Sequence, residues 1–253
     1  MGSEPAPARR SGAALLLAAP ALVSAAGPGV PLQSSGADVS NQASLQRGAR
    51  LYMNYCLGCH SLQYVRYNTL ADGLGLTDEQ VAENLRFTGD SPHDQIRIAM
   101  PADDAARWFG LAPPDLSLIA RSRGTDYIYT FLKSFYADPS QRATGANNKV
   151  LAGTAMPHVL WELQGVQEAV YRTEVAADGS RREVFDRFEL AQPGSMTPTE
   201  FDQAARDITT FLSWAGEPMQ LERQRLGIFV LMFLLVLFVF SWLYYKELWK
   251  DVK

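Results

Sequence analysis

Sulfur and imidazole are scarce in this chain. Its 253 residues include two cysteines, Cys56 and Cys59, and three histidines, His60, His93 and His158. Two cysteines three residues apart make no disulfide framework, so any covalent chemistry of sulfur must use this one pair. A structural zinc site needs more Cys, or more closely spaced His, than the chain supplies. A basic surplus is also missing. The 23 Lys and Arg stand against 27 Asp and Glu, a net charge of −4, which argues against a nucleic-acid binder. No catalytic triad, phosphate-binding glycine loop or acid–base carboxylate pair stands out, and there is no internal repeat. With 47% hydrophobic and 20% charged residues, collagen-like, low-complexity and fully disordered chains are excluded.

The two ends do have long apolar runs. Arg9 and Arg10 precede an apolar stretch from Gly12 to Val23, followed by the small residues Ser24, Ala25 and Ala26. That order predicts a secretory signal over residues 1–26, too short to span a bilayer. Residues 226–245 carry no charge over 20 positions, about 30 Å of helix, the thickness of the hydrocarbon layer. Trp242, Tyr244 and Tyr245 crowd one end of this run, and Lys246, Lys250 and Lys253 follow it. We therefore expect a single-pass anchor in the bilayer, an exported domain over 27–225, and a short cytoplasmic tail over 246–253. The exported part holds 24 acidic and 18 basic residues, a net of −6.

Residues 27–40 are rich in Gly, Pro and Ser and read as a linker to a domain over 41–225. Helical spacing of Leu45, Ala49, Tyr52 and Met53 predicts a helix from Gln42 to Tyr55, with Gly48 marking a close approach of another backbone. Thr77 and Gln80 form a capping box for a helix to Phe87. An aromatic-rich helix is expected from Asp126 to Tyr136, ended by Asp138 and Pro139, with a loop over 140–155. Val166–Val175 and Glu183–Leu190 flank Asp178-Gly179 as a hairpin. Thr197, Pro198 and Glu200 start a last soluble helix that Gly216 and Pro218 stop.

The chemistry lies in Cys56-Leu57-Gly58-Cys59-His60, the C-x-x-C-H pattern of covalent haem attachment. One helical turn separates two thiols that can add to the two vinyl groups of one porphyrin, and the adjacent imidazole then lies under the iron. A thioredoxin-like C-x-x-C would need a βαβ context, whereas the flanks here are helical. A disulfide across two intervening residues would be strained. The sixth iron ligand must come from elsewhere: Met156, Met100, Met196, His93 or His158. Met156 sits among Gly153, Thr154, Ala155 and Pro157, small residues and a proline that suit an extended loop approaching a flat macrocycle. Met100 lies beside Asp103 and Asp104, which suggests exposure, and Met196 just precedes a helix cap. A Met ligand would raise the reduction potential and a second His would lower it.

The motif belongs to a longer succession. Ser44-Leu45-Gln46-Arg47-Gly48 precedes it and Ser61-Leu62-Gln63-Tyr64-Val65 comes after it. Then come Ala112-Pro113-Pro114-Asp115-Leu116-Ser117, Ile119-Ala120-Arg121-Ser122-Arg123-Gly124 with Tyr127, Ala155-Met156-Pro157, and Phe211-Leu212-Ser213-Trp214-Ala215-Gly216-Glu217-Pro218 before the anchor. Over about residues 41–250 this resembles the bacterial type of cytochrome c1, the haem subunit of ubiquinol–cytochrome c reductase, the cytochrome bc1 complex. The resemblance implies a mainly α fold: a class I cytochrome c-like haem domain with loop insertions and one β-hairpin, plus the C-terminal transmembrane helix. It implies one haem c held by Cys56 and Cys59, with His60 as proximal and Met156 as distal iron ligand. It further implies that the Pro114 carbonyl orients the histidine, and that Arg123, with Tyr127 in the same segment, pairs with a haem propionate. The chain departs from mitochondrial relatives in placing Pro157 directly after Met156, in an Arg-Gly segment one residue shorter, and in having no second Cys pair.

The function so implied is an electron-transfer subunit of the reductase without acid or base catalysts of its own. It would pass single electrons from the Rieske iron–sulfur protein to a soluble cytochrome c or equivalent carrier, beside cytochrome b in a membrane complex. Asp103, Asp104, Glu162, Glu168 and Glu174 are candidate acidic docking residues. Three other readings compete: an anchored cytochrome c subunit of a terminal oxidase, a haem-based gas sensor with an exchangeable sixth position, and a haem peroxidase, for which only His93 and His158 remain as distal groups.

Overall fold

The structure is a computed structural model that describes residues 30–141, 144–175 and 179–251. The expected export signal over 1–26 lies outside the described residues. In chain order the elements are α1 (Gln42–Tyr55), β1 (Leu62–Arg66), α2 (Tyr67–Leu74), α3 (Asp78–Asn84), β2 (Gln95–Ile96), α4 (Ala102–Phe109), α5 (Ile119–Arg123), α6 (Thr125–Lys133), β3 (Phe135–Ala137), β4 (Ala146–Asn148), α7 (Trp161–Gln164), β5 (Gly165–Val175), β6 (Arg181–Pro193), α8 (Pro198–Gly216) and α9 (Gln220–Trp249).

Helices α1 and α8 form the frame of the haem-motif domain. The Asn41 side chain accepts the Ser44 N–H at the start of α1, and Thr197 with Glu200 makes a complete capping box at the start of α8. Their apolar faces meet, Leu45, Ala49, Tyr52 and Met53 against Ala204, Ala205, Ile208, Phe211 and Leu212, all buried. Tyr52 packs on Phe211 at 5.5 Å, and Phe211 stacks on Trp214 at 5.9 Å. Gly48 is where the helices come closest. A Cβ there would lie 2.0 Å from the Asp207 carbonyl oxygen, so only glycine fits.

The same crossing buries a charge. Asp207 is 1% exposed and accepts hydrogen bonds from Ser44 Oγ (2.5 Å), Arg47 Nε (2.6 Å) and Nη2 (3.0 Å), and Gln203 Nε2 (2.8 Å). A buried carboxylate so fully satisfied fixes the register of α1 on α8, because a slip of either helix strands it. Asp207→Ala should cost about 2–4 kcal/mol by leaving Ser44 and Gln203 without an acceptor. For a chain of this size that is a fall in melting temperature of about 5–12 °C, read from the haem absorbance of the whole detergent-solubilised protein. An unchanged melting temperature would show the crossing to be held by apolar packing alone.

Among the described residues three β-ribbons, each antiparallel and two-stranded, decorate this frame: β1–β2, β3–β4 and β5–β6. One hairpin was expected. The β5–β6 ribbon is that hairpin, longer than its sequence signal, with Gly165 opposite Pro193 and Val175 opposite Arg181. Lys149 Nζ sits over the rings of Tyr136, Tyr171 and Phe185 at 4.7, 4.3 and 5.1 Å, fastening the ribbon to β3 and β4.

The aromatic helix was expected to reach Tyr136 and to lead into a loop over 140–155. Instead α6 stops at Lys133, residues 135–137 are strand β3, and residues 146–148 pair with them as β4. Tertiary partners take the last carbonyls of α6. Asn148 Nδ2 donates to Phe131 O (2.8 Å) and Gln167 Nε2 to Lys133 O (2.8 Å), which ends the helix where no local signal does. Likewise α3 ends at Asn84, short of the expected Phe87. The Gly/Pro/Ser stretch before α1 has no regular structure over 31–38, yet it is tied down. The backbone N–H groups of Gln33 and Ser35 donate to Thr130 Oγ1 and Asp126 Oδ1 on α6, both at 2.8 Å. Helix α9 is long and apolar enough to cross a membrane.

Candidate haem site

The C-x-x-C-H segment continues the coil of α1. Cys56 N donates to Tyr52 O (2.8 Å), Cys59 N to Cys56 O (3.0 Å) and His60 N to Cys56 O (2.9 Å). Both thiols are free, one buried and one half-buried. Burial, helped by the neighbouring Cys59, pushes the Cys56 thiol up to about 12, so it stays protonated. The two thiols lie one turn apart on the coil that continues α1.

His60 is buried, and its Nδ1 lies 2.7 Å from the Pro114 carbonyl oxygen. A carbonyl only accepts, so Nδ1 carries the hydrogen and Nε2 presents a lone pair. Burial pulls the His60 pKa below its ordinary value, while the Pro114 carbonyl and the Asp115 charge oppose that pull. A neutral imidazole of this tautomer is the form that ligates a metal. Its backbone is held too, since the buried Tyr52 hydroxyl donates to His60 O at 2.6 Å.

Arg123 closes α5 and is exposed. Its guanidinium lies over the Tyr127 ring at 5.5 Å. From Tyr127 a ladder of rings runs on. Tyr127 stacks on Phe131 (6.2 Å), Phe131 meets Phe135 edge-on (5.1 Å), and Phe135 stacks on His158 (5.1 Å). The two arginines of the segment part company here. Arg121 pairs with Glu217 at 3.1 Å, whereas Arg123 enters no ion pair among the described residues and keeps its fork for an anion.

Met156 stands half-buried on the loop after β4, its N–H donated to the buried Thr154 Oγ1. Two buried residues that sequence reasoning missed shape this loop. Asn148 Oδ1 accepts the N–H groups of Val150 and Leu151, and Asn147 Oδ1 that of Gly153. Consecutive asparagines between periodic segments were the available signal, because asparagine bonds its own following backbone. The rival ligands are placed differently. Met196 packs against the core and Met100 is half-buried before α4. His93 is exposed. His158 lies flat on Phe135. Neither of its ring nitrogens closes a hydrogen bond, and burial pushes its pKa down to about 4.

Two adjacent thiols and a neutral imidazole with Nε2 presented make a donor set that fits haem c. Cys56 and Cys59 would hold it covalently, and His60 and Met156 would meet its iron.

The sequence pattern described as Cytochrome C1 family matches residues 35–171 and 192–252. The unmatched stretch between them takes in residues 172–175 of β5 and 181–191 of β6. The chain is 49% identical over 240 residues to cytochrome c1 of Allochromatium vinosum, covering 95% of this chain and 97% of that one. It is 38% identical over 237 residues to a protein named ammonia monooxygenase gamma subunit from Nitrosomonas europaea, covering 94% and 95%. It is 32% identical over 233 residues to the mitochondrial cytochrome c1 heme protein of Saccharomyces cerevisiae, covering 84% and 68%.

Proposed function

This chain belongs to the cytochrome c1 family, the haem subunit of the bc1 complex, whose members carry a covalently bound haem c, and from that premise we propose a route for its electrons. It takes single electrons from the Rieske iron–sulfur protein and passes them to a soluble cytochrome c, beside cytochrome b. The observation that carries this reading is the 2.7 Å contact of His60 Nδ1 with the Pro114 carbonyl, which presets the ligand tautomer.

The haem, when bound, supplies one-electron ferric–ferrous chemistry. The residues of the chain do the rest. Cys56 and Cys59 would tether the macrocycle, His60 and Met156 would hold its iron, Pro114 holds the imidazole, and Arg123 with Tyr127 would bind a propionate. Two protein ligands on the iron would keep outside ligands off it, as suits a carrier rather than a gas sensor or peroxidase. We place residues 1–26 as the export signal, the haem domain in the periplasm, and the tail with Lys246, Lys250 and Lys253 in the cytoplasm. Helix α9 keeps the haem domain near its electron donor, so transfer does not wait for diffusion.

Copurification with cytochrome b and a Rieske protein, together with a haem-sized mass on the chain, supports the reading. A chain with neither addition sinks it. Docking of the acceptor adds a salt dependence. Asp103, Glu162 and Glu168 are exposed and outside the ion pairs among the described residues, whereas Asp104 pairs with Arg107 and Glu174 with Arg172. Reduction of a basic soluble cytochrome c by the complex should therefore slow several-fold between about 50 and 200 mM salt, as screening shortens the reach of those carboxylates. A rate flat with ionic strength would remove acidic steering.

A further inference from the structure

Pro114 has to place a carbonyl oxygen within 2.7 Å of His60 Nδ1, yet it lies in a stretch that cannot anchor itself. Neither Pro113 nor Pro114 has a backbone N–H, so no hydrogen bond donated from those two residues can hold the carbonyl in place. The anchoring falls to residues 115–117. Asp115 Oδ2 accepts the N–H of Gln63 on β1, and its Oδ1 accepts the N–H of Ser117, both at 2.9 Å. Leu116 N donates to Ser61 O (2.9 Å), and Tyr64 N to Ser117 Oγ (3.2 Å). The carboxylate thus bridges the residues just after His60 to the residues just after Pro114. It closes a small ring whose other link is the His60–Pro114 hydrogen bond.

Asp115 also differs electrically from the rest of that ring. It is half-buried and takes part in none of the ion pairs among the described residues, so no side-chain counter-ion cancels its charge. It directly follows Pro114, whose carbonyl oxygen lies 2.7 Å from His60 Nδ1, so its charge sits close to the proximal ring.

Building on the proposed haem ligation, we infer that Asp115 is the positioning residue of the proximal ligand. Its two carboxylate oxygens clamp the Pro114 carbonyl onto His60, and its uncancelled charge favours the oxidised over the reduced iron. A fixed negative charge stabilises the ferric site, which carries one more positive charge than the ferrous one, so it lowers the reduction potential.

The test is a spectroscopic redox titration of the purified full-length protein at pH 7, with three forms compared. Asp115→Asn keeps an oxygen that can accept one of the two backbone N–H groups and removes the charge. Ser117→Ala loosens the same segment through the Tyr64 bond and leaves the charge in place. In Asp115→Asn, haem stays attached, and the ferrous-to-ferric ratio at fixed ambient potential rises about three- to tenfold. That corresponds to ~28 to 59 mV for one electron. In Ser117→Ala the ratio changes less than about twofold, a smaller step on the same one-electron scale. An Asp115→Asn protein with haem and an unchanged ratio overturns the inference, and so does an equal shift in Ser117→Ala. Loss of haem from Asp115→Asn alone overturns it as well, because the residue is then only structural. A wild-type chain without haem would instead sink the haem reading itself.

Discussion

Valine at position 48 should abolish the folded, haem-bearing chain. The Gly48 Cα faces the α8 backbone so closely that an added Cβ would lie 2.0 Å from the Asp207 carbonyl oxygen and 2.8 Å from Phe211 Cβ. Neither atom is the end of a flexible side chain. Relief requires α1 and α8 to separate, and that separation is costly. It unpacks Tyr52 from Phe211 and withdraws Ser44 and Arg47 from the buried Asp207. Alanine, with one methyl, should already cost about 3 kcal/mol or more, and valine should exceed the stability of the domain. Haem content and melting temperature read the outcome. Gly227→Ala on α9 is the control, since a Cβ there meets nothing within 4 Å, and it should keep both. If Gly48→Val retains haem and wild-type stability, the helices do not cross as described.

The second large effect is expected at Met156, the proposed distal ligand. Met156→Ala should leave haem attached through Cys56 and Cys59 but open the sixth position. The reduced protein should then bind carbon monoxide, and the wild type should not. The potential should also fall by about 0.2 V, a fraction of the ~0.8 V that axial ligation spans. His158→Ala is the matched comparison. His158 packs face to face on Phe135 at the end of the ring ladder, so its loss should change local packing and leave the ligand field intact. Carbon monoxide binding gained in His158→Ala and absent in Met156→Ala would reverse the assignment and make the second axial group an imidazole. No carbon monoxide binding in either variant would move the distal ligand to another residue.

Local signals in the sequence proved readable wherever the physics is local. The bounds of α1 and the capping box of α8 were legible because a cap and a periodic face lie within one turn of each other. The haem motif was legible for a similar reason, since its geometry is a single helical turn. Tertiary partners blurred the rest. The end of α6 could not be read because Asn148 and Gln167, 15 or more positions away, supply the hydrogen bonds that stop it. Strands β1 and β2 escaped notice because each is short and exists only through pairing with the other. Helix α4 has no side-chain cap to announce it and begins after a proline.

Chain order alone settles the chemistry in hand: two thiols and an imidazole at fixed spacing, and an apolar helix long enough for a bilayer. Those depend on covalent sequence and on 1.5 Å of rise per residue. Folding settles which nitrogen of His60 bears its hydrogen, through a carbonyl 54 positions away. It also leaves Arg123 free for an anion while Arg121 is spent on Glu217. Hydrogen bonds and ion pairs depend on distance in space, and the folded core sets that distance only after α1 and α8 have locked around Gly48 and Asp207.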